Sequence, residues 1–127
     1  VAEQPAGDLP AGLDISSRLV EGRLVVEVVG EIDLDTAPQL HAAIVDAIDR
    51  APEAACIVDL TDVSYLGSAG LTVLLATTRH AEARSRSLPI VVDANRPVIR
   101  PIELTGLDDE FRLFHSVEEA LQSSTHL

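Results

Sequence analysis

Aromatic residues are almost absent from this chain: one Tyr, two Phe and no Trp in 127 residues. A core built from it must therefore be filled by Ala, Val, Leu and Ile. Cations are scarce as well, nine against twenty-one acidic residues, for a formal net charge of −12. The acidic side chains are spread along the sequence, and no basic stripe with interleaved aromatics occurs. That excludes a nucleic-acid backbone as partner, and an anionic membrane surface with it. The single cysteine, Cys56, cannot close an intrachain disulfide. It lies in the apolar run Ala54-Ala55-Cys56-Ile57-Val58 and is expected to be a small buried thiol. No signal-peptide pattern, lipidation motif or bilayer-length apolar run is visible, and the cytoplasm is the expected compartment.

What remains is enough for one α/β domain. Residues 1–12, with Pro5, Gly7, Pro10 and Gly12, read as an N-terminal arm; the domain is expected over 13–122, with a tail at 123–127. Two strands are predicted at Asp14–Val20 and Arg23–Val29, joined by the turn Glu21-Gly22. Asp35-Thr36 then offer helix N-caps and Pro38 falls in the first turn. Leu40, Ala43, Ile44, Ala47 and Ile48 recur with helical spacing, the stripe of a helix packed on a sheet. A short strand at Ala55–Leu60 leads into a loop over Thr61–Leu66, and a helix from Ser68 to about Ser85 follows. Further on come a strand at Leu88–Val92, a helix through about Leu104 with Gly106 at its C′ position, an edge strand near Phe111–Phe114 and a last helix opened by the capping pair Ser116 and Glu119. The order β-β-α-β-α-β-α-β-α predicts a mixed sheet of four to five strands with about four helices largely on one face.

Catalytic patterns fail. A nucleophile elbow needs glycines two before and two after serine, and Leu66 fills the first of those places around Ser68. Gly67–Gly70 is no phosphate-binding loop because no Gly-Lys-Ser/Thr follows. The histidines His41, His80, His115 and His126 have no ligand spacing among themselves or with Cys56, so no metal and no cofactor are expected.

Two places stand out instead. Ser68 begins a helical pattern directly after a buried strand, where backbone N–H groups lack partners and carry partial positive charge. A hydroxyl there can cap the helix, or it can carry a phosphate; the local pattern admits both. In Gly30-Glu31-Ile32-Asp33 the glycine lets the chain bend after a strand. Asp33 and Asp35 then precede a helix start, where capping and dipole compensation alone would explain them.

Taken together, Gly30-Glu31-Ile32-Asp33 with Ala37 and Leu40, Ile57-Val58-Asp59-Leu60, Tyr65-Leu66-Gly67-Ser68-Ala69-Gly70-Leu71, Thr105-Gly106-Leu107 and Phe111-Arg112-Leu113-Phe114 resemble the STAS family of bacterial anti-sigma factor antagonists. The match spans about residues 13–122 in register, and its C-terminal part is most similar to the actinobacterial branch. The resemblance implies a non-enzymatic partner switch: the antagonist binds an anti-sigma factor, itself a serine-protein kinase, and so frees a sigma factor. The kinase phosphorylates the antagonist and ends the binding; a metal-dependent serine phosphatase restores it.

The position matching the acceptor is Ser68, and Asp33 matches an aspartate flanking it. The implied partner surface takes in Asp33, Asp35, Thr36, Gly67, Ser68, Gly70, Leu71 and Thr72. Many members carry Asp-Ser-Ser-Gly where this chain has Gly67-Ser68-Ala69-Gly70, so a carboxylate beside the acceptor and a second hydroxyl are missing here. A STAS scaffold subunit of a larger assembly, stressosome-like or transporter-associated, is the alternative role within the same resemblance.

Overall fold

The Val- and Ile-rich segments form the centre of a five-stranded sheet whose spatial order follows the chain order. The computed structural model describes residues 12–51 and 56–124. Its elements are β1 (Asp14–Val20), β2 (Arg23–Ile32), α1 (Ala37–Arg50), β3 (Cys56–Leu66) and α2 (Ser68–Glu82). They continue with β4 (Pro89–Val91), α3 (Arg96–Leu104), a 3-10 turn at Leu107–Asp109, β5 (Arg112–Phe114) and α4 (Val117–Ser124). Of the expected arm only Gly12 falls within the described residues, and the part of the expected tail at 125–127 lies outside them.

β1 and β2 pair antiparallel, from Asp14↔Val29 to Val20↔Arg23. The turn between them is Glu21-Gly22, with φ of 53° and 80°. Positive φ at both central residues matches the right-handed twist of the flanking strands. The remaining neighbours, β2–β3, β3–β4 and β4–β5, are parallel. Each parallel pair needs a crossover, and α1, α2 and α3 supply them.

The core lies mainly between one sheet face and these helices. Val26, Val28 and Ile32 of β2, Val58 and Leu60 of β3 and Ile90 of β4 pack with Leu40, Ile44 and Ile48 of α1, Leu74 of α2, and Val98 and Ile102 of α3. Each such side chain contributes about 1.5–3 kcal/mol by leaving water, so an aliphatic core can do without aromatics. α4 covers the opposite face, where Ala120 and Leu121 pack on Val25, Ile57 and Val91. Beyond that patch the same face is an open depression of about 340 Å³ lined by Glu27, Asp59, Thr61 and Asp62.

Two strands outrun their sequence-based limits. β2 continues through Gly30 to Ile32, and the expected loop Thr61–Leu66 is the second half of β3. Register shifts between Glu27 and Val29 and between Gly30 and Glu31 keep the pair together, ending at Ile32↔Leu66. Gly30, at φ 123°, therefore sits in an irregular part of the strand rather than in a bend after it. Thr61, Asp62 and Ser64 read as loop because they are polar. They are strand residues beyond the part of the opposite face that α4 covers.

Candidate functional site

Because β2 and β3 are parallel and end in register, the segments that follow them emerge side by side. The Gly67 N–H donates to the Ile32 carbonyl at 2.9 Å, tying the start of α2 to the end of β2. The N-termini of α1 and α2 thus meet at the carboxyl end of the sheet, the usual place for function in parallel sheets.

The segment before α1 is a closed hydrogen-bonded turn. Asp33 Oδ1 accepts from the backbone N–H of Asp35 and of Thr36, each at 3.0 Å. The Thr36 hydroxyl donates to the Glu31 carbonyl at 2.8 Å and accepts from the Asp33 N–H at 2.9 Å. Thr36 holds the N-cap position of α1, yet its side chain makes no bond to that helix; it closes the preceding turn instead. Among the described residues Asp33 Oδ2 has no hydrogen bond, while Leu34 stands out from the turn at 79% exposure.

α2 opens differently from the expectation. Gly67, not Ser68, is its N-cap, with φ −92° and ψ −178°, and no side chain caps it. Ser68 is the first helical residue, exposed, and among the described residues its hydroxyl makes no hydrogen bond. The capping reading of Ser68 is corrected by that geometry, because the cap position lies one residue earlier. The neighbouring hydroxyls are engaged: Ser64 Oγ donates to the Gly30 carbonyl at 3.3 Å, and Thr72 Oγ1 to the Ser68 carbonyl at 3.1 Å.

Gly67 does not need glycine for its backbone, since φ is negative. A Cβ there would lie 3.0 Å from the Tyr65 hydroxyl and 3.1 Å from its Cε2, a tight contact that the half-exposed ring could relieve by a small movement. Gly70 is constrained from the other side: a Cβ would come within 2.5 Å of Leu66 Cδ1 and 2.6 Å of Ile32 Cγ2.

Of the residues expected at a partner surface, Asp35, Ser68 and Thr72 are exposed, and Asp33 and Gly67 are partly so. Thr36, Gly70 and Leu71 are buried; they shape the site from beneath and offer no surface to a partner. Two residues that the sequence reading passed over complete the rim, Leu34 and Tyr65, the latter 51% exposed. The signal was available for Leu34, a large apolar side chain between two aspartates at a turn.

The remaining chemical candidates lie elsewhere. Cys56 is buried, and desolvation pushes its thiol up to about 12. His80 hydrogen-bonds Asp49 at 2.9 Å across α1 and α2. This hydrogen bond, assisted by the Arg84 guanidinium, holds the Asp49 carboxyl below its ordinary value. The described residues contain no group of three or more His, Cys, Asp or Glu side chains placed to hold a metal ion. None of their helices is long and apolar enough to cross a membrane.

The STAS domain family matches residues 14–120. The anti-sigma-F factor antagonist RsfB of Mycobacterium tuberculosis is 43% identical over 101 residues, covering 79% of this chain and 80% of that protein. The anti-sigma-B factor antagonist of Bacillus subtilis is 30% identical over 97 residues, covering 76% and 86%. Among solved structures, an anti-sigma factor antagonist from Mycobacterium paratuberculosis superposes with a TM-score of 0.79 at 36% identity, covering 90% of this chain and 95% of that one. With the sheet order, the paired loops and these relatives in agreement, the chain belongs to the STAS domain family, alongside its anti-sigma factor antagonists.

Proposed function

We propose that this chain is an anti-sigma factor antagonist switched by phosphorylation of Ser68. It binds an anti-sigma factor that is also a serine kinase, and so releases a sigma factor to RNA polymerase. The setting is cytoplasmic, the protein is a binding module rather than an enzyme, and a metal-dependent serine phosphatase resets it. The relatives' own names supply the antagonist role. The observation that carries the switch is the free Ser68 hydroxyl at the first residue of α2, exposed beside the Asp33 turn while Ser64 and Thr72 are engaged.

The physics of the switch is local. A phosphate adds about −1.5 to −2 charges, little against a net charge of −12. At the first turn of a helix the fold tolerates it, because unpaired N–H groups and the helix dipole face it. A docked partner would not. Leu34 and Tyr65 are exposed apolar side chains in the two segments that carry the Asp33 turn and the acceptor, and a dianion closed into a contact with such surface loses its water without a partner to replace it. Asp33 and Asp35 offer it repulsion only.

Incubation with candidate anti-sigma kinases and ATP, followed by mass-spectrometric mapping, tests this. Phosphate should appear on Ser68, and Ser68→Ala should abolish labelling while keeping the partner bound. Labelling on Ser64 or Thr72 in place of Ser68 would overturn the assignment, as would a phosphorylated chain that still binds as tightly as the unmodified one.

A further inference from the structure

We infer that Tyr65 is the specificity-determining contact of the Ser68 site, and that Gly67 leaves room for the Tyr65 ring to lie against the start of α2; the role rests on the function proposed above. A helix N-cap is best filled by Ser, Thr, Asp or Asn, whose side chains bond the first-turn N–H groups. Gly67 gives up that bond although its φ of −92° would accept any of them. A Cβ at that place would crowd the phenolic edge of Tyr65, with Oη, Cε2 and Cζ at 3.0, 3.1 and 3.4 Å, so the half-exposed ring would have to give by a few tenths of an ångström.

The ring is not core. It is half exposed, and among the described residues its hydroxyl has no hydrogen-bond partner. A broad, stiff ring with a free polar tip, lying beside the residue that precedes a free serine hydroxyl, has the properties of a binding anchor. The residue preceding the acceptor then contributes no charge, and the aromatic wall takes its place. A partner must meet Ser68 with an apolar slot opposite Tyr65, not with a guanidinium or ammonium group waiting for a carboxylate at position 67.

The test uses the full chain and the purified anti-sigma kinase that labels Ser68, with ATP. Kd of the unmodified complex and KM and kcat for labelling are measured for Tyr65→Ala, Tyr65→Phe, Gly67→Asn and Tyr65→Ala with Gly67→Asn. Asparagine keeps the cap position well filled and adds no hydroxyl. Tyr65→Ala should raise Kd and KM on the order of tenfold, as removal of an aromatic anchor does, with kcat nearly unchanged. Tyr65→Phe should restore most of the loss. Gly67→Asn should weaken binding by displacing the ring, and should add nothing once Tyr65 is Ala. Urea midpoints check that every variant is folded.

Wild-type Kd and KM in Tyr65→Ala, or additive effects in the double variant, would overturn this role while leaving Ser68 labelling intact. Failure of the unaltered chain to be labelled on Ser68 by any such kinase would overturn the proposed function, and this role with it.

Discussion

The hydrogen bond from the Gly67 N–H to the Ile32 carbonyl, 2.9 Å long, makes one platform of two loops that are far apart in sequence. β2 and β3 pair up to Ile32↔Leu66, so neither segment can shift without breaking the ladder. The Asp33 turn and the start of α2 are therefore held in fixed relation before any partner arrives. A surface organised in this way loses little conformational entropy on docking.

The platform depends on how closely α2 approaches the sheet. A methyl group on Gly70 would collide with Leu66 and Ile32, both buried. Gly70→Ala gains helix propensity, yet overpacking of this kind costs about 1–3 kcal/mol. The variant should show a lower urea midpoint with an unchanged m-value. It should also bind the partner more weakly, because Ser68 sits one half-turn away and moves with the helix. An unchanged midpoint would show that the helix can lift without cost.

Two buried threonines make opposite predictions for the same substitution. The Thr36 hydroxyl serves both the Glu31 carbonyl and the Asp33 N–H. Thr36→Val leaves both backbone groups short of a partner and should cost about 1–3 kcal/mol. Among the described residues the Thr78 hydroxyl is buried without any hydrogen-bond partner. Thr78→Val replaces an orphaned oxygen by a methyl group of the same size and should be neutral or stabilising by about 1 kcal/mol. Denaturant unfolding of the two variants in parallel checks the contrast, and equal losses would refute it.

Much of the fold was legible because local signals and burial agree in it. β1 occupies its expected limits, Asp14–Val20, because a Glu-Gly turn and an exposed edge leave no ambiguity. α4 is opened as expected, with Glu119 N–H donating to Ser116 Oγ at 3.0 Å, though the Glu119 carboxylate turns to the His115 N–H at 2.7 Å. The second half of β3 was missed for a tertiary reason. Thr61, Asp62 and Ser64 are polar on a part of the sheet that α4 leaves open, a fact no local pattern contains. The candidate site was legible in its chemistry and not in its packing: Ser68 and Asp33 are singled out from sequence, whereas the nearness of the Tyr65 ring to Gly67 exists only once the chain is folded.

Cys56 offers a clean reporter of that packing. Burial raises its thiol from an ordinary 9.0 to about 12, so at pH 8 the native protein holds neither a thiolate nor an accessible sulfur. A thiol reagent such as DTNB should leave the native chain untouched for as long as it stays folded, and should react at once in denaturant. The rate in intermediate urea should then follow the unfolded fraction. Rapid reaction in native buffer would mean that β3 opens locally at Cys56.

The Asp49–His80 pair supplies the pH-dependent prediction. Asp49, on α1, accepts from His80 of α2 at 2.9 Å, and Arg84 lies 3.2 Å from the same oxygen. The His80 hydrogen bond is the main cause of the lowered Asp49 value, with the Arg84 charge adding to it. A carboxyl whose folded value lies below its unfolded one stabilises the fold fully above the unfolded value, and that contribution drains away as pH falls through the folded value. Asp49→Asn should therefore be less stable than the parent chain from neutral pH down to about the ordinary value of 3.8. Below it the difference between the two should close. Urea midpoints for both chains between pH 3 and pH 7 read this directly. Because Asp49 is exposed the gap will be small, and high salt should shrink it. A gap that widened toward low pH would reverse the sign and refute the pairing as the source of the effect.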